Sequence, residues 1–199
     1  MPSATSPHPD AARRSPRERL LEAAGELFYA EGVQSVGIDR VIERAGVAKA
    51  SLYSTFGSKE ELVRAYLDER HARIVGRLHS AVDAADPADP VARILAVFDA
   101  QAKLFDAPDF HGCAFTAAAA EAPRDGRINE AARAYRREIR ELFVGLAAAT
   151  GAPDPALLAS QLQLLYDGGS AAANLDQDAS IAGPVRAAAA SLIAAALDR

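Results

Sequence analysis

The segment 47–62, VAKASLYSTFGSKEEL, carries the side chains best suited to bind another molecule. Within one short stretch it places Lys49, Ala50, Ser51, Tyr53 and Ser54. Lysine and the hydroxyl groups donate hydrogen bonds to phosphates or base edges, and alanine fits against a thymine methyl group. Because so many small and polar side chains serve no packing purpose, the segment is typical of a helix that lies against DNA. The competing interpretation is a small helical hairpin within an ordinary bundle.

Cations on either side extend this pattern. Arg40 and Arg44 precede the segment, and Lys59 lies near its C-terminal end. Lys59 falls in the first turn of the next predicted helix, where backbone N–H groups also favour an anion. A solvated helix face accounts for Arg40 and Arg44 equally well. Arg13 and Arg14 similarly fit either an arm that follows the DNA minor groove or a disordered tail.

No combination of residues predicts catalysis. Residues 167–170, DGGS, lack the strand–turn–helix setting of a nucleophile elbow, and no glycine-rich phosphate-binding loop occurs. Cys113 is the single cysteine, and a small buried apolar role is more typical of it than redox sensing. His71 and His79 lack the i, i+4 spacing of a helical metal-binding pair. We therefore expect no enzyme activity, no cofactor and no metal site.

The elements that position these residues are all predicted to be helices. Alanine is abundant and tryptophan is absent, a composition that favours helix over strand. Serine caps, each followed three residues later by glutamate, predict helix starts at Ser15 and Ser58, and Gly32 and Gly46 end the first two helices. Apolar periodicity and turn residues predict an all-α fold of nine helices at 16–31, 38–45, 49–55, 59–82, 91–105, 113–121, 127–149, 156–175 and 184–197.

The second and third helices are predicted to form a pair with a particular geometry. Each is about two turns long, and the link 46–48 is too short for them to pack antiparallel. Two short helices joined by a three- or four-residue turn containing glycine form the helix-turn-helix layout. The second helix of such a pair enters the major groove of DNA, with its N-terminal residues leading.

Charge and composition indicate which part of the chain could bind DNA. The 199-residue chain has a formal net charge of −5, which by itself argues against nucleic-acid binding. Residues 11–65, however, hold nine basic and eight acidic side chains, whereas residues 66–199 hold thirteen and eighteen. Residues 1–14 are expected to be a disordered arm. With one cysteine, no signal-like N-terminus and no apolar run of about 18 residues, the chain is expected to be cytoplasmic and free of membrane.

The stretch 32–63, GVQSVGIDRVIERAGVAKASLYSTFGSKEELV, resembles the DNA-binding domain of the TetR/AcrR family of bacterial transcriptional regulators. The match runs from about residue 17 to residue 66 and is most specific in AGV, K, LY, F and SKEEL at fixed spacing. The stretch 110–123, FHGCAFTAAAAEAP, is similar to the sixth helix of one branch of the family. This resemblance implies a helix-turn-helix DNA-binding domain at 15–60 and a ligand-binding and dimerisation domain at 61–199.

The same resemblance implies a homodimer that binds palindromic double-stranded operator DNA, usually as a repressor that a small-molecule effector releases. The sequence departs from the family pattern at three positions. Ala48 and Gly37 stand where family members often have a hydroxyl residue, although Gly37 keeps a backbone N–H. Ser54 stands where a larger side chain is common.

An effector pocket is expected among helices four to eight. The apolar side chains available there, with a few polar side chains that could orient a ligand, indicate a small, mostly apolar ligand. The predicted ligand-binding residues are Phe98, Gln101, Leu104, Phe105, Phe110, His111, Cys113, Phe115, Tyr135, Leu162, Tyr166 and Asn174.

The last two helices are expected to form the dimer interface. Gly168 and Gly169 lie inside a predicted helix, where each costs on the order of 1 kcal/mol relative to alanine, so a close helix–helix approach should offset them. The predicted interface residues are Gly169, Ala173, Ala189, Leu192 and Ala196. A tightly packed core within one chain is the alternative.

The sequence therefore predicts a ligand-responsive DNA-binding regulator. The alternative is a small all-α carrier or enzyme whose N-terminal domain is only structural. Helix four is expected to connect the DNA-binding domain to the pocket as a rigid element.

Overall fold

The computed structural model describes residues 14–198, and residues 1–13 and 199 lie outside it. The predicted N-terminal arm therefore falls outside the described residues except for Arg14. Between residues 14 and 198 the chain forms nine α-helices, one short 3-10 turn and no strand. The helices are α1 Pro16–Glu31, α2 Ile38–Ala45, α3 Lys49–Phe56, α4 Lys59–Ala84, α5 Pro90–Phe105, α6 Ala114–Ala120, α7 Arg127–Ala149, α8 Pro155–Asp176 and α9 Ala182–Leu197.

Helix starts follow the predicted capping chemistry. The Ser15 Oγ accepts from the Glu18 N–H, and the Glu18 carboxylate accepts from the Ser15 N–H in return. Ser58 caps α4 through the N–H of Glu61 at 3.2 Å. Helices α5 and α8 begin one residue earlier than predicted, because Pro90 and Pro155 occupy the first helical position after an aspartate cap. Helix α9 also starts early, since the 3-10 turn Ala179–Ile181 leads directly into it.

The first three helices, called the head below, enclose a small apolar core. Val36, Val41 and Leu52 are fully buried in it. Gly46 turns the chain between α2 and α3 with φ 62°, a left-handed conformation that glycine adopts without strain. Val41 of α2 and Leu52 of α3 thus anchor the inner faces of both helices in this core.

Helices α4–α9, called the body below, pack around the long helix α4. Helices α5 and α7 lie against α4, α8 packs on α7, and α9 packs on both α5 and α8. Leu78, Ile94, Phe143 and Leu162 are fully buried between these helices. The apolar core runs without a break from the head into the body.

The last helix contradicts the expectation that no stretch of the chain is long and apolar enough to cross a membrane. Within the described residues, the stretch Ala179–Leu197 is long and apolar enough by length and composition to cross a membrane, with a mean hydropathy of 1.5. Only 17% of this stretch is buried within the chain. One such helix is weak evidence for a span, because apolar helices that pack against protein meet the same criterion. The observation that bears on function is its uncovered apolar surface.

Candidate functional site

Helix α3 presents the predicted DNA-contact residues on one surface. Leu52 is buried and Phe56 packs against the core, which fixes the opposite face toward solvent. Lys49, Ala50, Tyr53 and Ser54 are exposed, and Ser51 is half-buried. The helix therefore combines an anchored apolar back with a small, polar outer face, the arrangement that a groove-binding helix requires.

The hydroxyl groups on α3 are partly engaged within the helix. The Ser54 hydroxyl donates to the Ser51 carbonyl at 3.2 Å, and the Thr55 hydroxyl donates to the same carbonyl at 2.6 Å. Each hydroxyl oxygen keeps lone pairs for a donor such as an adenine or cytosine amino group. Thr55 is exposed beside the predicted residues and was not among them.

Two cations of this surface, Lys49 and Arg40, are held in ion pairs. Lys49 Nζ lies 2.9 Å from Asp39, and its hydrogen bond to that carboxylate raises the pKa of Lys49. Arg40 donates two hydrogen bonds to Glu31, at 2.6 and 2.9 Å. A phosphate that binds these cations must compete with the carboxylates.

Three further predicted contacts are Arg44, Lys59 and Gly37. Arg44 is paired with Glu26 at 2.7 Å, whereas Lys59, in the first turn of α4, forms no ion pair among residues 14–198. Gly37 is exposed at the start of α2 and offers a backbone N–H. Neither Gly37 nor Ala48 supplies a side-chain cap, in keeping with the hydroxyls missing at both positions.

Residues 20–66 match the sequence profile described as bacterial regulatory proteins, tetR family. A TetR-family transcriptional regulator from Streptomyces coelicolor is 31% identical, with a TM-score of 0.86, over 91% of this chain and 95% of that one. The chain belongs to the TetR family. A second crystal structure, from Streptomyces avermitilis, is 38% identical over 92% of this chain and 98% of that one, with a TM-score of 0.83.

Curated relatives match over a shorter region. The HTH-type transcriptional regulator TtgR of Pseudomonas putida is 32% identical over 108 residues, which cover 50% of this chain and 51% of that protein. The chain thus spans about half the length of that relative in the match. The family profile covers only residues 20–66, so the body must be described from its own residues.

A cavity of about 200 Å³ lies in the body beside α4. Five of the twelve predicted ligand residues line it: Leu104, Phe110, Cys113, Tyr135 and Tyr166. His111 lies outside this cavity and lines an adjoining surface groove of about 730 Å³ between α1 and α4. The predicted region is therefore the location of a cavity, but about half of the predicted residues do not reach it.

Six predicted ligand residues lie behind the cavity wall, where they fill the core or support it. Phe98 packs against Phe143, Phe105 against Phe110, and Phe115 stacks on Tyr135 with ring centroids 4.0 Å apart. Leu162 is fully buried.

The two predicted amide anchors are also engaged elsewhere. Gln101 donates to the Tyr166 carbonyl and to the Ser170 hydroxyl, at 2.6 and 3.0 Å. The side chain of Asn174 lies against Gly112, where an added Cβ would stand 3.1 Å from it. Both side chains therefore position cavity residues instead of facing the cavity.

The structure adds a charged wall that the sequence interpretation missed. Arg70, Arg73, Ile74 and Arg77 line the cavity from α4. Their spacing of three, four and seven residues places them on one helix face, a signal that was available in the sequence. The remaining added residues are Tyr29, Ala107, Asp109, Gly112, Ala114, Thr116, Asp167 and Ser170.

Two buried phenols form the polar part of the cavity wall. The hydroxyls of Tyr135 and Tyr166 lie 3.4 Å apart. Burial raises the pKa of Tyr135 well above its ordinary value and that of Tyr166 to about 12. Both phenols are therefore neutral at physiological pH and able to donate hydrogen bonds. Burial also raises the pKa of Asp167, although Arg136 at 2.8 Å opposes this effect.

The predicted interface residues of α8 and α9 require a correction. Gly169, Ala173 and Ala189 are buried within the single chain, and a Cβ on Gly169 would stand 3.1 Å from Val185 of α9. These three residues therefore belong to the α8–α9 packing of one subunit and offer no surface to another. Leu192 and Ala196 are half-buried against the same core.

A different face of α8 is open. Leu157, Leu164 and Leu175 are exposed on it, with Gly168 and Ala171 between them, and these five residues are called the α8 strip below. Leu164 and Leu175 keep 68% and 80% of their surface exposed. Small residues of α9, including Ala187 and Ala194, are exposed as well.

The head also contacts the cavity wall directly. The Tyr29 hydroxyl, on α1, accepts from the His111 N–H and donates to the Gly112 carbonyl, both at 3.0 Å. The Arg70 guanidinium lies 3.5 Å from the centroid of the Tyr29 ring. The Gln34 N–H donates to the Glu121 carboxylate at 2.6 Å. Helix α4 is therefore one of several connections between the head and the body.

Proposed function

We propose that this protein is a ligand-responsive transcriptional regulator, a repressor that leaves its operator when a small molecule binds the body. The observation that carries the proposal is the outer face of α3, where a lysine, small residues and hydroxyls are held toward solvent by a buried apolar back. Family membership supports DNA binding as the role of this face. Nothing in the described cavity favours the carrier or enzyme alternative.

The proposed DNA-bound form is a homodimer on a palindromic operator in the cytoplasm. The α8 strip supports this, because monomeric proteins rarely expose contiguous apolar surface of this kind. An interface formed by α8 and α9 of two subunits would be self-complementary, as a two-fold dimer requires. It would also cover the apolar face of α9.

The effector is proposed to act on the distance between the two heads. Two helix-turn-helix heads must present their recognition helices about 34–36 Å apart to reach successive major grooves. A ligand in the cavity would lie against Arg70, which stacks on Tyr29 of the head. A displacement there reaches α1 through a direct contact, in addition to any swing of α4.

The ligand in this scheme shifts an equilibrium between two arrangements of the heads. It does so only by the difference in its affinity for them. Head-to-head spacing in free, ligand-bound and DNA-bound crystals is the direct comparison. Equal spacing in all three, with ligand still releasing DNA, would rule out this step.

DNA binding is tested by fluorescence anisotropy with a labelled fragment from upstream of the protein's own gene. The Lys49→Ala variant should bind more weakly, with a salt dependence flattened by about one phosphate contact if Lys49 meets the backbone. If Lys49 instead contacts guanine, the change should cost about 1–3 kcal/mol and relax specificity at one base pair. The matched control is Lys103→Ala, since Lys103 is exposed on α5, far along the chain from the head.

Lys59→Ala is the second informative variant, because Lys59 has no ion pair to break within residues 14–198. Operator binding that is unchanged in both Lys49→Ala and Lys59→Ala would refute the assignment of α3 as the recognition helix. A wild-type protein that shows no salt-dependent DNA binding would refute the proposed function itself.

A further inference from the structure

We infer that the cavity takes a small organic acid, whose carboxylate is held by the guanidinium groups of Arg70 and Arg77. The inference rests on the proposed function for its regulatory meaning and on the cavity alone for its chemistry. It replaces the mostly apolar effector that composition indicates.

Two of the three cavity arginines have no carboxylate partner. Arg73 pairs with Glu69 at 2.8 Å. Among residues 14–198, Arg70 and Arg77 form no ion pair, and the Nε of Arg70 is buried without a hydrogen-bond partner. A partly buried guanidinium that lacks an anion is costly, and arginine binds carboxylates through two parallel hydrogen bonds. The guanidinium groups of Arg70 and Arg77 are therefore available to bind an anionic ligand.

The carboxylates of the wall do not cancel this charge. Asp167 and Asp109 both line the cavity. Asp167 is paired with Arg136 on α7 at 2.8 Å, so its charge is already balanced. Among the wall residues that the structure describes, Asp109 is then the only carboxylate outside an ion pair, against Arg70 and Arg77. The wall thus keeps an excess of one positive charge, which matches a monocarboxylate.

The remaining wall defines the rest of the ligand. The neutral phenols of Tyr135 and Tyr166 donate hydrogen bonds and repel no anion. Ile74, Leu104 and Phe110 supply apolar surface for a ring or a short chain. A volume of about 200 Å³ lies below the roughly 300–1,000 Å³ of pockets for drug-sized ligands. The fitting class is therefore a one-ring aromatic or short-chain aliphatic monocarboxylic acid.

The ligand has a route to this position. The groove of about 730 Å³ between α1 and α4 shares Tyr29, Arg70, Arg73 and Asp109 with the cavity. An acid that enters from this groove meets the arginines first. Its carboxylate would then lie beside Tyr29, the head residue that stacks on Arg70.

Isothermal titration calorimetry on the full-length protein tests this chemistry with matched probes. Benzoate, benzamide and benzylamine share one ring and differ in charge, and hexanoate, hexanamide and hexylamine repeat the comparison on a chain. Each acid should bind about ten- to a hundred-fold more tightly than its amide, the range of a hydrogen bond to a charged group, and more tightly still than its amine.

The variants Arg70→Met and Arg77→Met keep an unbranched, flexible side chain and remove the guanidinium charge. Each should reduce acid affinity by about tenfold or more and leave amide affinity nearly unchanged. The matched control is Arg137→Met, at an exposed position of α7 outside the cavity, which should bind acids like the wild type. Circular dichroism melting checks that each variant is folded.

Three results would overturn the inference: an amide or amine that binds as tightly as its acid, no acid binding up to about 10 mM, or equal acid affinity in Arg70→Met, Arg77→Met and wild type. Failure of the proposed function is a separate outcome. Acids that bind with the predicted preference but leave operator affinity unchanged would retain the cavity chemistry and refute its regulatory role.

Discussion

Replacing leucines of the α8 strip should weaken the dimer by a predictable amount. Fully burying a leucine contributes about 1.5–3 kcal/mol. Leu164 keeps 68% of its surface exposed in the single chain, so burying this exposed part in the dimer contributes about 1–2 kcal/mol per subunit. In a two-fold dimer each substitution occurs twice. Leu164→Ala should therefore cost about 2–4 kcal/mol, which raises the dimer Kd roughly 30-fold to several hundred-fold.

Sedimentation equilibrium over a concentration series measures this Kd directly. Leu175→Ala should act in the same direction, since Leu175 is 80% exposed. Val144→Ala is a control, because Val144 is an exposed apolar residue on α7 outside the strip. Ala189→Leu is the contrasting variant, because Ala189 is 0% exposed and a larger side chain there overpacks the subunit. It should lower thermal stability in monomer and dimer alike.

Two results would refute the reasoning. A wild-type protein that stays monomeric at micromolar concentration removes the dimer itself. A wild-type dimer whose Kd is unchanged by Leu164→Ala and Leu175→Ala would place the interface elsewhere on the subunit.

The remaining predictions concern packing and coupling. Gly169→Ala should lower the thermal midpoint relative to Gly76→Ala, because its Cβ would stand 3.1 Å from Val185, whereas no atom lies within 4 Å of one at Gly76. Gly76→Ala should raise the free energy of unfolding by about 0.5–1 kcal/mol, and equal midpoints in the two variants would contradict the close α8–α9 contact. Tyr29→Phe removes two hydrogen bonds to residues 111–112, so effector should release DNA less well in anisotropy titrations, while DNA affinity without effector stays the same. Unaltered release would exclude the Tyr29 contact from the coupling.

Helix positions were predictable because their determinants are local. The Ser15–Glu18 and Ser58–Glu61 pairs lie within single helical turns, and the structure forms both caps. Predicted helix starts were wrong where a turn signal and a helix signal fall on the same residue. Pro90 looks like part of a turn with Asp89, yet a proline at the first helical position continues into the helix.

The cavity residues were less predictable because a cavity is the space that packing leaves unfilled. Phe98 and Phe115 are apolar and lie in the expected region, but their rings pair with Phe143 and Tyr135. No local pattern distinguishes a ring that fills the core from one that lines a cavity. The α4 arginines, in contrast, are spaced so that they share one helix face, and this pattern is present in the sequence.

The proposed dimer face could not be assigned from the sequence for a further reason. Gly168 and Gly169 are neighbours, and successive helical residues point about 100° apart. Gly169 faces Val185 of its own chain, while Gly168 lies exposed in the α8 strip. Composition therefore identified the helices that pack closely, but the assignment of each face needed the position of α9.

The ion pairs on the head bear on the proposed control of DNA binding by the spacing between heads. Lys49, Arg40 and Arg44 already bind carboxylates, so contact with phosphate exchanges one partner for another. Each head should consequently bind DNA weakly by itself. In a dimer the second head binds at a high effective concentration once the first is in place, provided that the geometry allows both to bind. In the proposed mechanism, a ligand that changes the spacing removes this second contact, and DNA is released without any change on the surface of α3.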